Sequence, residues 1–99
     1  MLKISKTVEN NKAEYVLEGR LDTVTAPELE AELKGALDGV EELILNFEAL
    51  ESISSAGLRV LLATQKVMNK QGEMKIVKVN QTIMEIFEVT GFSDILTIE

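Results

Sequence analysis

Hydrophobic and polar residues alternate at the start of the chain, as they do in strands with one buried face. Leu2 and Ile4 follow this alternation, the polar Lys6 breaks it before Val8, and Tyr15 and Leu17 lie on one face of the segment AEYVLEG. The turn-forming stretch ENNK separates the two segments. The pattern therefore predicts a β-hairpin at the start of the fold.

The segment TAPELEAELKGAL has the spacing of an amphipathic helix. Its apolar side chains recur at i, i+4, i+7 and i+8, which aligns them in one stripe: Leu29, Leu33, Ala36 and Leu37. Thr25 stands three residues before Glu28, which is the spacing of a capping box, and Pro27 suits a first helical turn. A helix starting after Thr25 is predicted.

Short apolar runs and helical patterns alternate through the rest of the chain. ELILNF is typical of a strand that is buried on both faces. The segment AGLRVLLATQKVMNKQG predicts a helix ending at Gly72, and EMKIVKV predicts a strand. NQTIMEIFEVTG predicts a helix between an Asn80 cap and a Gly91 stop, and ILTI predicts a last strand. The order β-β-α-β-α-β-α-β indicates a single α/β domain over residues 1–99.

Two adjacent serines interrupt the apolar stretch LESISSAGLRVLL. Ser54 or Ser55 would cap the following helix, because a serine hydroxyl accepts a bond from a free backbone N–H of the first turn. Gly57 costs that helix about 1 kcal/mol relative to alanine, but it allows another group to approach closely. A phosphate on a serine here would be stabilised by the same free N–H groups and by the helix dipole.

The helix after the serines is apolar around more of its circumference than one sheet would cover. One side groups Leu58, Leu61, Leu62 and Met68, whereas Val60, Thr64 and Val67 lie on an adjoining side. Two explanations are open. Either a neighbouring helix covers the second side, or part of that side is a surface for a partner.

The amino-acid composition limits which catalytic groups and metal ligands the chain can provide. The chain has no histidine and no cysteine, so it lacks the commonest general base, a thiol nucleophile and thiolate metal ligands. The acidic residues are scattered, without a calcium-type loop. We therefore expect no catalytic, metal or cofactor site and no enzyme. A net charge of −7 disfavours direct contact with nucleic acid. No membrane span or signal peptide is recognisable, so a cytoplasmic protein is expected.

Three segments, in order, resemble the STAS family, and specifically the bacterial anti-sigma factor antagonists. LNFEALESISSAGLRVLL resembles the family's strand, loop and serine motif that opens a helix. LEGRLDTVTAPELEAEL is similar to its Gly-x-Leu-Asp loop and first helix, and QGEMKIVKVNQTIMEIFEVTGF to its second half. The resemblance implies a mixed sheet with helices packed mainly on one side.

The resemblance also implies a phosphorylation site. When Gly57 and Leu58 are matched to the family's Gly-Leu, Ser55 corresponds to the phosphorylated serine. Ala56 then stands where the family usually has Ser or Thr. Ser54 stands where the family often has Asp, and its hydroxyl is an alternative acceptor. A partner-binding surface around this site is implied for the set Leu21, Asp22, Thr23, Ser54, Gly57, Leu58 and Arg59.

The mechanism implied by the resemblance is partner switching. The unphosphorylated protein binds an anti-sigma factor that is also a serine kinase, and a sigma factor is released. Phosphorylation of the serine blocks this binding, and a serine phosphatase restores it.

Two residues have a simpler explanation: Asp22 as an acceptor for loop N–H groups before a helix, and Arg59 as a solvated residue on the polar helix face.

Two other functions are compatible with parts of the sequence. A STAS-like domain also occurs as an adaptor subunit of transport or other signalling complexes, without regulation by phosphorylation. A nucleotide- or lipid-binding domain is the second alternative, but SSAGLR lacks the lysine and glycine spacing of a phosphate-binding loop.

Overall fold

The computed structural model describes all 99 residues of the chain. It contains four strands, three α-helices and one short 3-10 helix. In chain order the elements are β1 (Leu2–Glu9), β2 (Lys12–Leu21), α1 (Ala26–Leu33), β3 (Glu42–Ile53), α2 (Ser55–Met68), β4 (Glu73–Val77), α3 (Gln81–Thr90) and the 3-10 helix Phe92–Asp94.

The four strands form one mixed sheet in the order β1-β2-β3-β4. The first pair is antiparallel, which confirms the predicted hairpin, and its turn contains Asn10 with a φ of 57°. The other two pairs are parallel. The pairing of β2 with β3 reaches Leu21 and Ile53, the last residues of the two strands. The loop after β2 and the start of α2 therefore lie at the same edge of the sheet.

Only one face of the sheet is fully covered. Along β3, Leu43, Leu45 and Phe47 are buried, whereas Ile44 and Asn46 between them are half-buried. The prediction that this strand is buried on both faces is therefore wrong, because all three helices contribute their buried residues to one common core. The contact of the Phe47 ring with Phe87 of α3, at 6.4 Å between centroids, belongs to that core. The predicted packing of helices on one side is confirmed.

Strand β3 continues beyond Phe47, where the sequence predicts its end, to Ile53. Its pairing with β2 shifts register at two points in this extension. The buried positions Phe47, Leu50 and Ile53 are consequently three residues apart instead of two. Simple alternation therefore does not predict this part of the strand, since a bulge moves the next side chain to the other face of the sheet.

Helix α1 is shorter than predicted, and the predicted capping box is wrong. The helix ends at Leu33, and the chain then turns through Gly35 at a φ of +82°. Ala36 is half-buried and Leu37 is buried, but both belong to the loop that follows the helix. The side chain of Thr25 makes no cap hydrogen bond to the helix because its hydroxyl is bonded to the residues before it.

The prediction of a last strand over ILTI is also wrong. After α3 the chain forms the 3-10 helix and meets β4 only through an isolated bridge between Ile98 and Ile76. Two backbone hydrogen bonds of 2.9 Å make this bridge, from Ile76 N–H to the carbonyl of Thr97 and from Glu99 N–H to the carbonyl of Ile76. The turning backbone up to Ile95 leaves too few residues beside β4 for a regular strand.

Helix α3 begins and ends where the sequence predicts. The Asn80 side chain accepts a hydrogen bond of 2.8 Å from the N–H of Ile83, and Gly91 ends the helix with a left-handed φ of 81°. Asn80 also donates to the carbonyl of Leu50 at 3.0 Å, which attaches α3 to β3. None of the three helices has the length and hydropathy of a bilayer-spanning segment.

Candidate functional site

The serine pair lies beside the loop that follows β2. The N–H of Ser54 donates to the carbonyl of Leu21 at 2.9 Å. This bond joins the ends of two parallel strands immediately before the Asp22 loop and before α2. The two segments that the sequence associates with a partner surface are therefore brought together.

The two serines differ in accessibility. Ser54 occupies the N-cap position of α2 in an extended conformation, but its side chain makes no cap hydrogen bond. Its hydroxyl oxygen is buried and has no hydrogen-bond partner. Ser55 is the first residue of the helix and its side chain is exposed. Of the two hydroxyl groups, only that of Ser55 is open to a reaction partner from solution.

We expect Ser54→Ala to leave the free energy of unfolding within about 0.5 kcal/mol of the wild-type value, or to increase it, because a buried hydroxyl without a partner is itself unfavourable. Replacing a serine that caps a helix through its side chain by alanine would lower the free energy of unfolding by about 1 kcal/mol. Asn80→Ala is the positive control, since it removes a side-chain cap bond from Ile83 together with the bond to the Leu50 carbonyl. Urea denaturation compares them, and a loss of about 1 kcal/mol for Ser54→Ala would contradict the expectation.

Gly57 allows α2 to pack closely on the ends of the strands. A Cβ atom at this position would lie 2.8 Å from Cγ of Leu21 and 2.8 Å from Cγ1 of Ile53. The close approach inferred from the sequence is therefore present, and Gly57 itself is buried. The packing fixes the first turn of α2, and with it the position of Ser55.

Asp22 organises the loop between β2 and α1. Its Oδ1 atom accepts hydrogen bonds from the N–H groups of Val24 and Thr25, each at 3.0 Å. The Thr25 hydroxyl donates to the carbonyl of Arg20 at 2.7 Å and accepts from the N–H of Asp22 at 2.9 Å. The backbone N–H of Thr25 is the main cause that holds the pKa of Asp22 below its ordinary value, partly opposed by desolvation. The loop-capping role expected for an aspartate here is present.

The implied partner-binding residues separate into two groups. Of this set, Thr23 and Arg59 are exposed and Asp22 and Ser54 are half-buried, and the predicted acceptor Ser55 beside them is exposed. The remaining three are buried beneath this surface: Leu21, Gly57 and Leu58. Val24 lies outside this implied set, although its side chain is 77% exposed in the same loop. The sequence gives only one indication of this exposure: an apolar residue stands in a polar turn and does not fit the spacing of the buried helix positions.

The first turn of α2 is electrostatically suited to a negative charge. It contains no acidic residue, and its free N–H groups form the positive end of the helix dipole. Arg59 is exposed, lies four residues after Ser55 on the same helix face, and takes part in none of the ion pairs of the protein. A phosphate on Ser55 would therefore find donors and a cation in its own helix.

The second apolar side of α2 is covered in part by α1. Val60 and Thr64 are buried, whereas Val67 remains 43% exposed. These residues and Leu33 of α1 line a groove between the two helices. A neighbouring helix therefore explains most of this side. No cluster of His, Cys, Asp and Glu side chains with the arrangement of a metal site occurs in the protein.

Fold and site together define a small α/β domain with a mixed sheet. One edge of that sheet, where the parallel strands β2 and β3 end, carries a rigid loop beside an exposed serine at the start of a helix.

The chain matches the STAS domain family over residues 3–99 and belongs to this family. BtrV of Bordetella bronchiseptica, named as a candidate anti-sigma factor antagonist, is 37% identical over 84 residues, which are 83% of this chain and 72% of BtrV. The anti-sigma-B factor antagonist of Staphylococcus aureus is 33% identical over 97 residues, covering 96% of this chain and 90% of that protein.

Solved structures show the same fold. The Bacillus cell fate determinant SpoIIAA in its phosphorylated form superposes with a TM-score of 0.75 at 20% identity, covering 100% of this chain and 91% of that one. The family resemblance and the mixed-sheet fold expected from the sequence are confirmed.

Proposed function

We propose that this protein is an anti-sigma factor antagonist that acts by partner switching. Relatives from Staphylococcus aureus and Bordetella bronchiseptica are named as anti-sigma factor antagonists, which supports the first part of the proposal. The observation that carries the proposal is the exposed Ser55 side chain at the first position of α2, next to a buried Ser54 hydroxyl. The unphosphorylated protein binds an anti-sigma factor in the cytoplasm, and the sigma factor held by that anti-sigma factor is released.

The anti-sigma factor is also the kinase in this proposal. The Ser55 hydroxyl oxygen attacks the γ-phosphorus of ATP, so an O–P bond to serine forms while the bond to the β-phosphate oxygen breaks. ADP leaves, and the proton of the hydroxyl passes to a base of the kinase. A serine phosphatase reverses the modification by hydrolysing the O–P bond. The chain is then a substrate and a binding partner, and the enzymes are the other two proteins.

Phosphorylation would change the surface without unfolding the domain. The added dianion lies at a helix N-terminus, where free N–H groups and the helix dipole stabilise it. A partner that packs on the exposed side of Ser55 would have to desolvate this charge, which weakens the complex. The proposal therefore requires a loss of affinity with retention of the fold.

Isothermal titration calorimetry with the anti-sigma factor tests the proposal. Wild-type protein should bind, and Ser55→Asp should bind at least about tenfold more weakly, because one negative charge must be desolvated or face like charge at the interface. Circular dichroism should show the same secondary structure for both proteins.

Ser5→Asp is the matched control, since Ser5 is an exposed serine in the middle of edge strand β1. This variant adds the same charge away from the ends of β2 and β3, and we expect it to keep wild-type affinity. Equal affinities for wild-type and Ser55→Asp would refute the switch. Absence of binding by the wild-type protein would refute the function itself.

A further inference from the structure

The groove between α1 and α2 leaves apolar surface open to solvent. Its floor consists of buried side chains: Leu33, Leu37, Val60 and Thr64. Its walls include exposed apolar side chains from both helices: Pro27, Ala31, Ala63 and Val67. The volume of the groove is about 470 Å³, which is within the range of about 300–1,000 Å³ that is typical of sites for small molecules.

The floor of the groove offers no free hydrogen-bonding side chain. Thr64 carries the only hydroxyl group among the lining residues. This hydroxyl is already satisfied, because it donates to the carbonyl of Val60 at 2.7 Å within α2. A polar group placed on the floor would lose its bonds to water without gaining a side-chain partner, so the part of a ligand that fills the floor has to be apolar.

One end of the groove is positively charged. The side chain of Gln71 donates to the carbonyls of Leu37 and Val40 at 2.5 Å and 2.7 Å, so the segments that follow α1 and α2 lie side by side. Lys34 lines the groove three residues before Leu37, and Lys70 directly precedes Gln71. These two lysines therefore lie at the same end of the groove.

The lysines at this end have no acidic partner. Lys66 and Lys70 each follow an exposed wall residue of α2 by three positions, which places them beside the groove on the helix surface. They and Lys34 take part in none of the ion pairs of the protein. Glu30 is the only acidic residue that lines the groove, and it stands about one helical turn before Lys34. An anionic group is therefore attracted to the lysine end and repelled from the rest of the groove.

We propose that this groove binds a free fatty acid of medium chain length, with the alkyl chain along the floor and the carboxylate at the lysine end. From Val60 to Val67 the α2 wall is about 10 Å long, which is similar to the extended alkyl chain of decanoate. A peptide helix is a poorer occupant. A helical segment of this length with a diameter of about 10 Å takes up about 800 Å³, well above the 470 Å³ of the groove.

This inference does not rest on the proposed function, because the lysine end lies at the opposite end of α2 from Ser55. Titration of the isotope-labelled protein with decanoate, below the concentration at which micelles form, tests it by NMR. The amide signals of the groove residues should shift, with a dissociation constant of about 0.1 mM. Octanoate should bind about tenfold more weakly, since it buries two methylene groups fewer.

Decylamine controls for general hydrophobic binding, because it has the same alkyl chain and the opposite charge. It should bind in the groove at least about tenfold more weakly than decanoate. Equal affinities for the two compounds would overturn the assignment of a carboxylate site. Absence of shifts in the groove residues with decanoate would overturn the proposal as a whole.

The double variant Lys34→Gln, Lys70→Gln should bind decanoate at least about tenfold more weakly, because both cations nearest the carboxylate are removed. Lys3→Gln is the matched control: Lys3 is an exposed lysine of β1 that takes part in no ion pair and does not line the groove. It should keep wild-type affinity. An equal loss in the control, or no loss in the double variant, would contradict a carboxylate bound at the lysine end.

Ala63→Gln tests the position of the alkyl chain. Glutamine is a good helix former, so the variant should keep the wild-type circular dichroism spectrum while its side chain fills the groove, and decanoate binding should be lost. Undiminished binding would show that the fatty acid lies elsewhere. Ser55→Asp should bind decanoate with wild-type affinity, so failure of the groove site and failure of the proposed function are distinguishable.

Discussion

Replacing Ser55 by alanine is expected to abolish phosphate incorporation when the protein is incubated with its anti-sigma factor and ATP. Ser54→Ala should still gain one phosphate per molecule. The reason is access: phosphoryl transfer requires the attacking oxygen to reach the γ-phosphorus at about 3–3.5 Å, and the Ser54 oxygen is buried in the folded protein. Intact-mass spectrometry of the three proteins after the reaction measures the result directly.

Ser55→Thr is the control that keeps a hydroxyl at this position while changing the side chain. It should retain some incorporation of phosphate. Full incorporation into Ser55→Ala would show that the acceptor has been wrongly assigned. Loss confined to Ser54→Ala would move the acceptor to Ser54 and would require the start of α2 to open in the complex. Each outcome therefore identifies the acceptor among the alternatives that the sequence leaves open.

The sequence predicts the elements that depend on local patterns. The hairpin at the start of the chain and the two ends of α3 follow from alternation and from cap residues such as Asn80 and Gly91. The errors arise where tertiary contacts override the local pattern. Thr25 has the spacing of a cap, but its hydroxyl bonds to the carbonyl of Arg20, which only the folded loop brings near.

The candidate site shows the same division. Matching Gly57 and Leu58 to the family motif selects Ser55, but the adjacent Ser54 remains an alternative acceptor. Which hydroxyl is buried depends on how β3 turns into α2 against Leu21, and no local pattern encodes that packing. The exposure of Val24 is a further property of the folded loop. The sequence therefore predicts the position of the candidate site to within a few residues, and the structure shows which of these residues are buried and which are exposed.

Gly57→Val is expected to destabilise the protein by about 2 kcal/mol and to lower its melting temperature by roughly 10 °C. A Cβ atom at this position would lie 2.8 Å from Cγ of Leu21 and from Cγ1 of Ile53. Neither atom is the flexible end of a long side chain, so the strand ends or the helix must move apart. The gain in helix propensity over glycine is a few tenths of a kcal/mol and does not offset this clash.

Ala63→Val is the matched control, because Ala63 is an exposed residue of the same helix. It should cost only about 0.7 kcal/mol of helix propensity. Thermal and urea unfolding of both variants give the comparison, and equal effects would contradict a specific clash at Gly57. A double-mutant cycle adds a second test: in a Leu21→Ala background the cost of Gly57→Val should fall, since one of the two contacted side chains is gone. If the cost is unchanged in that background, contact with Leu21 does not hold α2 against the strand ends, and another contact must position Ser55.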